Sequence, residues 1–282
     1  SGGMAAALHS PHPPVGYTAR RMMIYALSGG LIVLLWLAIV YANEKHHLLS
    51  CDRFPSPAAK YFAYAWLGLF LILLSALVTG SALNPARAAD LAGAPFFSLF
   101  LLHALLVTFL LGWWLATGRP PLTQYLNFQP GRAGEATMIG LAVGVAGWMF
   151  TLGAALAIAL LLRAAGFLPE DPQPSPMIGF MASLAWWKKL LIVFSAMTGE
   201  EFFFRSWLQK RLGLIVSTAL FALAHFTLGQ PLLLIGVTVI SLVIGFTFYR
   251  TKNVLPGIVA HGVFDFIQLF VIIPIAFRVL GT

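Results

Sequence analysis

The segment from Lys188 to Arg211 reads KKLLIVFSAMTGEEFFFRSWLQKR and constrains the chain more than any other. Lys188-Lys189 and Lys210-Arg211 stand at its ends, and the 20 residues 190–209 between them are mostly apolar. That length crosses a bilayer core as a helix. Glu200, Glu201 and Arg205 lie in its middle. A charged side chain near the bilayer centre costs about 3 kcal/mol on insertion scales, so such groups are rare and usually functional. A chain with two adjacent carboxylates there must build the rest of its fold as their housing.

Composition agrees. Of 282 residues, 60% are hydrophobic and 9% charged, against about 25% charged in a soluble domain. The net charge of +8 therefore carries little weight for nucleic acid, and none is expected as a partner. The basic residues flank apolar runs, where they anchor helices at lipid headgroups. Cys51 is the only cysteine, which excludes an intrachain disulfide and a cysteine–metal cluster. Ser1-Gly2-Gly3 ahead of Met4 reads as a cloning scar, and no cleavable signal peptide is expected after it.

Residues 1–21 comprise this scar and a polar, Pro-containing segment in water or at the interface. The part 22–165 holds four apolar runs, roughly 22–42, 61–81, 95–117 and 136–163. The fourth is rich in Gly and Ala and suits close helix packing. Residues 166–187 form a polar connection followed by a short apolar piece, MIGFMASLAWW, read as a surface helix or an extension of the next span. The part 188–282 adds spans at roughly 188–211, 212–229, 231–249 and 257–278. The expected fold is an all-α polytopic membrane protein, with about eight transmembrane helices enclosing a polar intramembrane cavity. Nine basic residues fall in loops after odd-numbered spans and seven in the others, a small excess towards cytoplasmic loops on the first set.

Of nine acidic residues, Glu200, Glu201 and Asp265 lie inside apolar runs; of seven histidines, His103, His225 and His261 do. All but His103 fall within 200–265. Glu201 and Arg205, four apart, share a helix face and can pair. Glu200 lies about 100° round the helix and is free to point elsewhere. Phe221 and His225 share a face, as do His261 and Asp265. Three helices can thus bring Glu200, His225, His261 and Asp265 to one polar centre. For single residues the structural reading leads. Glu201–Arg205 is first an ion pair, His103 a packed or hydrogen-bonded core group, and His261–Asp265 an interhelical hydrogen-bonding pair. Taken together, two imidazoles and an unpaired carboxylate are the parts of a water-activating site, by general base or by metal, or of a proton-coupled transporter.

At these residues the chain resembles the CAAX-protease and bacteriocin-processing (ABI) family of membrane proteins, which contains the Ras-converting CAAX endopeptidases. Glu200-Glu201-x-x-x-Arg205 is similar to its EExxxR motif, Phe221-x-x-x-His225 to its FxxxH motif and His261-x-x-x-Asp265 to its HxxxN/D motif. Together they span roughly 195–270, and spans one to four carry no motif. The resemblance implies an intramembrane glutamic-type endopeptidase with an eight-helix core and no obligatory metal. Glu200 would act as the base with His225 assisting, and His261 with Asp265 would stabilise the oxyanion. Glu201 and Arg205 would support the site. The chain departs at Asp265, where the CAAX endopeptidases have Asn. An ionised Asp donates no hydrogen bond, so Asp265 is protonated, orients His261, or binds a metal. In the last case Glu200, His225, His261 and Asp265 form a possible zinc site.

The expected substrate is a membrane-anchored or lipidated protein or peptide, and the expected location is a multi-pass position in a bacterial inner membrane. The competing readings are a zinc protease using the same residues and a non-catalytic bacteriocin-immunity or scaffold protein. A proton-coupled transporter predicts inverted repeats with polar groups in both halves, and only the second half carries such a cluster.

Overall fold

A computed structural model describes residues 15–47, 52–84, 95–167, 176–225 and 231–280. The polar N-terminal segment 1–14, the connections around Pro85–Asp90 and Glu170–Asp171, and the expected end of the sixth span at Gly229-Gln230 lie outside the described residues. Among the described residues there are helices and no strands. In chain order they are α1 (Val15–His46), α2 (Pro57–Leu83), α3 (Leu101–Ala116), the single turn α4 (Leu122–Tyr125), α5 (Ala133–Ala164) and α6 (Pro176–Ser183). Then come α7 (Trp186–Glu201), a π-helical stretch (Phe202–Gln209), α8 (Lys210–Ala224), α9 (Pro231–Thr251), α10 (Leu255–Phe266), a second π-helical stretch (Ile267–Ile272) and α11 (Ile273–Leu280). Local sequence sets several boundaries. Ser56 caps α2 by accepting the Ala59 N–H at 3.2 Å, and Pro57 takes the first helical position, where no intrahelical N–H is lost.

Among the described residues, six helical stretches are long and apolar enough to cross a membrane: Arg20–His46, Pro57–Leu83, Phe96–Ala116, Pro130–Ala164, Leu233–Thr251 and Leu255–Arg278. The chain is a multi-pass integral membrane protein of all-α class. The count of eight is not reached, because the expected fifth and sixth spans fall short of that test. The fifth carries Lys188, Lys189, Glu200, Glu201 and Arg205. The sixth is interrupted at Gly213 (φ 79, ψ 175). The residues 214–224 left after that break rise only about 17 Å, against a core of about 30 Å. The piece before α7 is a separate short helix, α6, that ends at Ser183 and does not run continuously into α7. Trp186 and Trp187 at the start of α7 are exposed, as an interfacial belt requires.

Two packing contacts position the motif helices. First, an aromatic cluster joins α2, α3 and the π-helical stretch after α7. Phe70 and Phe109 lie 4.2 Å apart by ring centroid, Phe109 and Trp207 4.8 Å, and Trp113 and Trp207 5.2 Å. Such pairs add to the burial of their large apolar areas. Second, α10 lies close along α5 at the glycines foreseen in the fourth run. A Cβ at Gly140 would stand 2.5 Å from Val259 Cβ, and one at Gly144 2.7 Å from Val263 Cβ. Only glycine admits this approach. At one end of the bundle, Arg211 pairs with Asp52, and Asn127 O accepts the Val254 N–H at 2.9 Å.

Candidate intramembrane site

Glu200 and Glu201 are the last two α-helical residues before the backbone widens into the π-helical stretch. Such widening is rare and recurs at functional sites. The two carboxylates diverge there, as their spacing predicts. Glu201 is completely buried. Its Oε2 accepts from Arg205 Nε at 3.0 Å, and its Oε1 accepts from His261 Nδ1 at 2.9 Å. Arg205, also fully buried, donates from Nη2 to Ser241 Oγ on α9 at 3.1 Å and lies 5.3 Å from the Phe221 ring centroid. Gly257 on α10 leaves room for the Glu201 carboxylate, since a Cβ there would stand 3.0 Å from Oε2. Glu201 and Arg205 therefore tie α7 to α9 and α10.

Glu200 turns the other way. Its Oε1 lies 3.1 Å from Nε2 of His103 on α3, and its Oε2 is buried with no hydrogen-bond partner among the described residues. His225 and His261 stand close enough to interact with its charge.

Gly213 brings His225 there. Its positive φ with extended ψ is open essentially to glycine alone. The reversal folds α8 back along the π-helical stretch, where Ser217 Oγ donates to Phe204 O at 2.7 Å and the Phe204 and Phe221 rings lie 4.9 Å apart. His225 lies one turn beyond Phe221, whose ring packs on Phe204 and on the Arg205 guanidinium. His225 Nδ1 lies 2.9 Å from Phe221 O. A carbonyl only accepts, so Nδ1 carries the hydrogen and Nε2 is the lone-pair nitrogen of the neutral ring. Phe221 is the wall between the two motif histidines, 4.7 Å from the His225 ring and 6.1 Å from that of His261.

Asp265 joins through His261, with Oδ2 3.4 Å from Nε2. Among the described residues, no three His, Cys, Asp or Glu side chains converge to hold a metal ion. Of the possible zinc set, Glu200 is bonded to His103 through Oε1, His225 to Phe221 O through Nδ1 and His261 to Glu201 through Nδ1, with Asp265 beside His261 Nε2.

The sequence offers two structural readings of His103, packed or hydrogen-bonded. It is hydrogen-bonded, as one of its two alternatives had it, and its partner is the first motif glutamate. Ser195 and Ser241, which extend the network, were not singled out from sequence, since a lone Ser on an apolar helix usually bonds its own backbone. Ser195 does so too, donating towards Ile192 O at 3.0 Å.

The chain is thus an all-α membrane bundle that holds a buried Glu–Arg–His network and, beside it, a second Glu bonded to His103. Residues 181–267 match the family model of the Rce1-like proteins, described as type II CAAX prenyl endopeptidase Rce1-like. The match runs from α6 to the end of α10, includes all seven motif residues, and supports the family that the motifs resemble. No curated protein and no solved structure matches the chain.

Proposed function

We propose that the protein is an intramembrane endopeptidase of glutamic type, cutting a peptide bond of a membrane-anchored or lipidated protein or peptide. The observation that carries this is the Glu200 carboxylate, one oxygen held by His103 and the other buried without a hydrogen-bond partner among the described residues. Glu200 Oε2 takes a proton from a water that His225 Nε2 holds as acceptor. The water oxygen bonds to the scissile carbonyl carbon, and the developing oxyanion accepts from His261. His261 keeps Nδ1–H on Glu201 and presents Nε2–H beside Asp265. The C–N bond then breaks as the proton on Glu200 passes to the leaving amine. Preorganised donors in a dry site stabilise the developing charge far better than water does. Glu201 and Arg205 hold the His261 ring and take no proton.

The family description points to prenylated C-terminal substrates, so a farnesylated CAAX peptide is the first probe. It is assayed in detergent with other membrane peptides, comparing wild type with Glu200→Gln, with and without a zinc chelator. Cleavage lost in Glu200→Gln and untouched by chelation is the expected result. Cleavage lost on chelation and restored by zinc overturns the mechanism. Cleavage at the wild-type rate by Glu200→Gln overturns the assignment of the base.

A further inference from the structure

The motifs leave one intramembrane histidine without a role. His103 stands on α3, outside the residues matched by the family model, yet it holds the first motif glutamate. We infer that His103 is a positioning residue for Glu200: its Nε2–H fixes Oε1 and so turns Oε2 towards the reacting water. The inference rests on the reading of Glu200 as the base.

The side chains of His103 and Glu200 are 15% and 8% exposed, so water competes little for the 3.1 Å bond between them. The last torsion of a glutamate side chain is broad and two-fold, so an unheld carboxylate exchanges its two oxygens freely. One anchored oxygen removes that exchange. The tautomer is set locally. A carboxylate oxygen only accepts, so Nε2 carries the hydrogen. The other ring nitrogen, Nδ1, lies 3.3 Å from Ser195 Oγ, a hydroxyl whose one hydrogen also has Ile192 O within 3.0 Å. Ser195 and Glu200 both belong to α7, so one helix clamps both nitrogens of a ring carried by another. The backbones allow this because Gly199 presents no side chain, and its Cβ position lies 3.7 Å from His103 Cβ. Further along α3, Phe109 and Trp113 lock the same pair of helices through Trp207. The other rings facing Glu200 do not duplicate the bond. His225 commits Nδ1 to Phe221 O, and His261 commits Nδ1 to Glu201.

The test compares His103→Ala, His103→Gln, Ser195→Ala and Glu200→Gln with wild type on a quenched farnesylated CAAX peptide. Rates are taken per folded molecule. Glutamine keeps an N–H donor near the reach of Nε2, and alanine has none. A base displaced by about 1 Å loses about 100-fold in rate. His103→Ala is therefore expected to lower kcat by about that factor with KM little changed, and His103→Gln to recover most of the loss. Ser195→Ala falls between. Glu200→Gln inactive with His103→Ala at the wild-type kcat overturns this inference alone. Glu200→Gln active overturns the reading beneath it. A readout free of substrate is ring-nitrogen NMR of histidine-labelled protein in detergent, with His103 assigned by its loss in His103→Gln. Nε2 is expected to be protonated and to shift in Glu200→Ala, and Nδ1 to shift in Ser195→Ala. An Nε2 signal indifferent to Glu200→Ala shows that the bond is absent and overturns the inference even if the peptide is not cleaved.

Discussion

Replacing Arg205 by methionine asks whether the buried ion pair or the apolar fill around it holds α7, α9 and α10 together. The guanidinium is fully buried and donates to Glu201 at 3.0 Å and to Ser241 at 3.1 Å. Methionine fills much of its volume and supplies no donor. Breaking a buried pair by removing one partner costs about 3–5 kcal/mol. The Ser241 bond adds about 1 kcal/mol and the contact with Phe221 about as much again. His261 still donates to the stranded carboxylate, which offsets part, so the net loss is expected near 4 kcal/mol. Reversible unfolding in mixed detergent micelles, followed by tryptophan fluorescence, measures it. The decisive comparison is the double variant Glu201→Gln, Arg205→Met. A neutral amide is less costly to strand than a carboxylate, so the double variant should be more stable than Arg205→Met alone. The coupling should be about 2 kcal/mol. Costs that simply add would show that the pair carries no mutual stabilisation and would refute this account of the core.

Three further outcomes are expected. Gly213→Ala forces a side chain into a backbone region open only to glycine, costing about 1–3 kcal/mol. It should also lower turnover by moving His225, whereas Gly29→Ala, with open space around its Cβ, should be neutral or slightly stabilising in the same unfolding assay. Gly144→Val should remove the folded, monodisperse fraction in size-exclusion chromatography, since its Cβ alone would stand 2.7 Å from Val263 Cβ. Asp52→Asn should cost about 2–3 kcal/mol on the same unfolding scale. It weakens a pair with Arg211 whose side chains are 5% and 4% exposed. Loss of cleavage without loss of stability there would refute a purely structural role for that pair.

What was legible in the sequence was whatever a helix records about itself. Six spans follow from run length, the Glu201–Arg205 pair from a spacing of four, and the close α5–α10 contact from a glycine-rich run. The π-helical stretch leaves no such mark, because widening a turn by one residue changes the register and not the residue types. The reversal at Gly213 hides for a similar reason: one glycine in an apolar run also reads as a tolerated helix residue. His103 and Glu200 are 97 positions apart, and no periodicity links residues on different helices. Their pairing is constrained all the same. In lipid an ionisable group without a partner is costly, so each such group must find one. Arg205 satisfies Glu201 within its own helix, which leaves Glu200 with no partner there. His103, His225 and His261 are the intramembrane groups able to serve it. His225 is stacked on Phe221 and bonded to its carbonyl, and His261 is shared between Glu201 and Asp265. His103 alone is left to hold Glu200 directly, so the residue that looked most like isolated packing is the one the charge balance required.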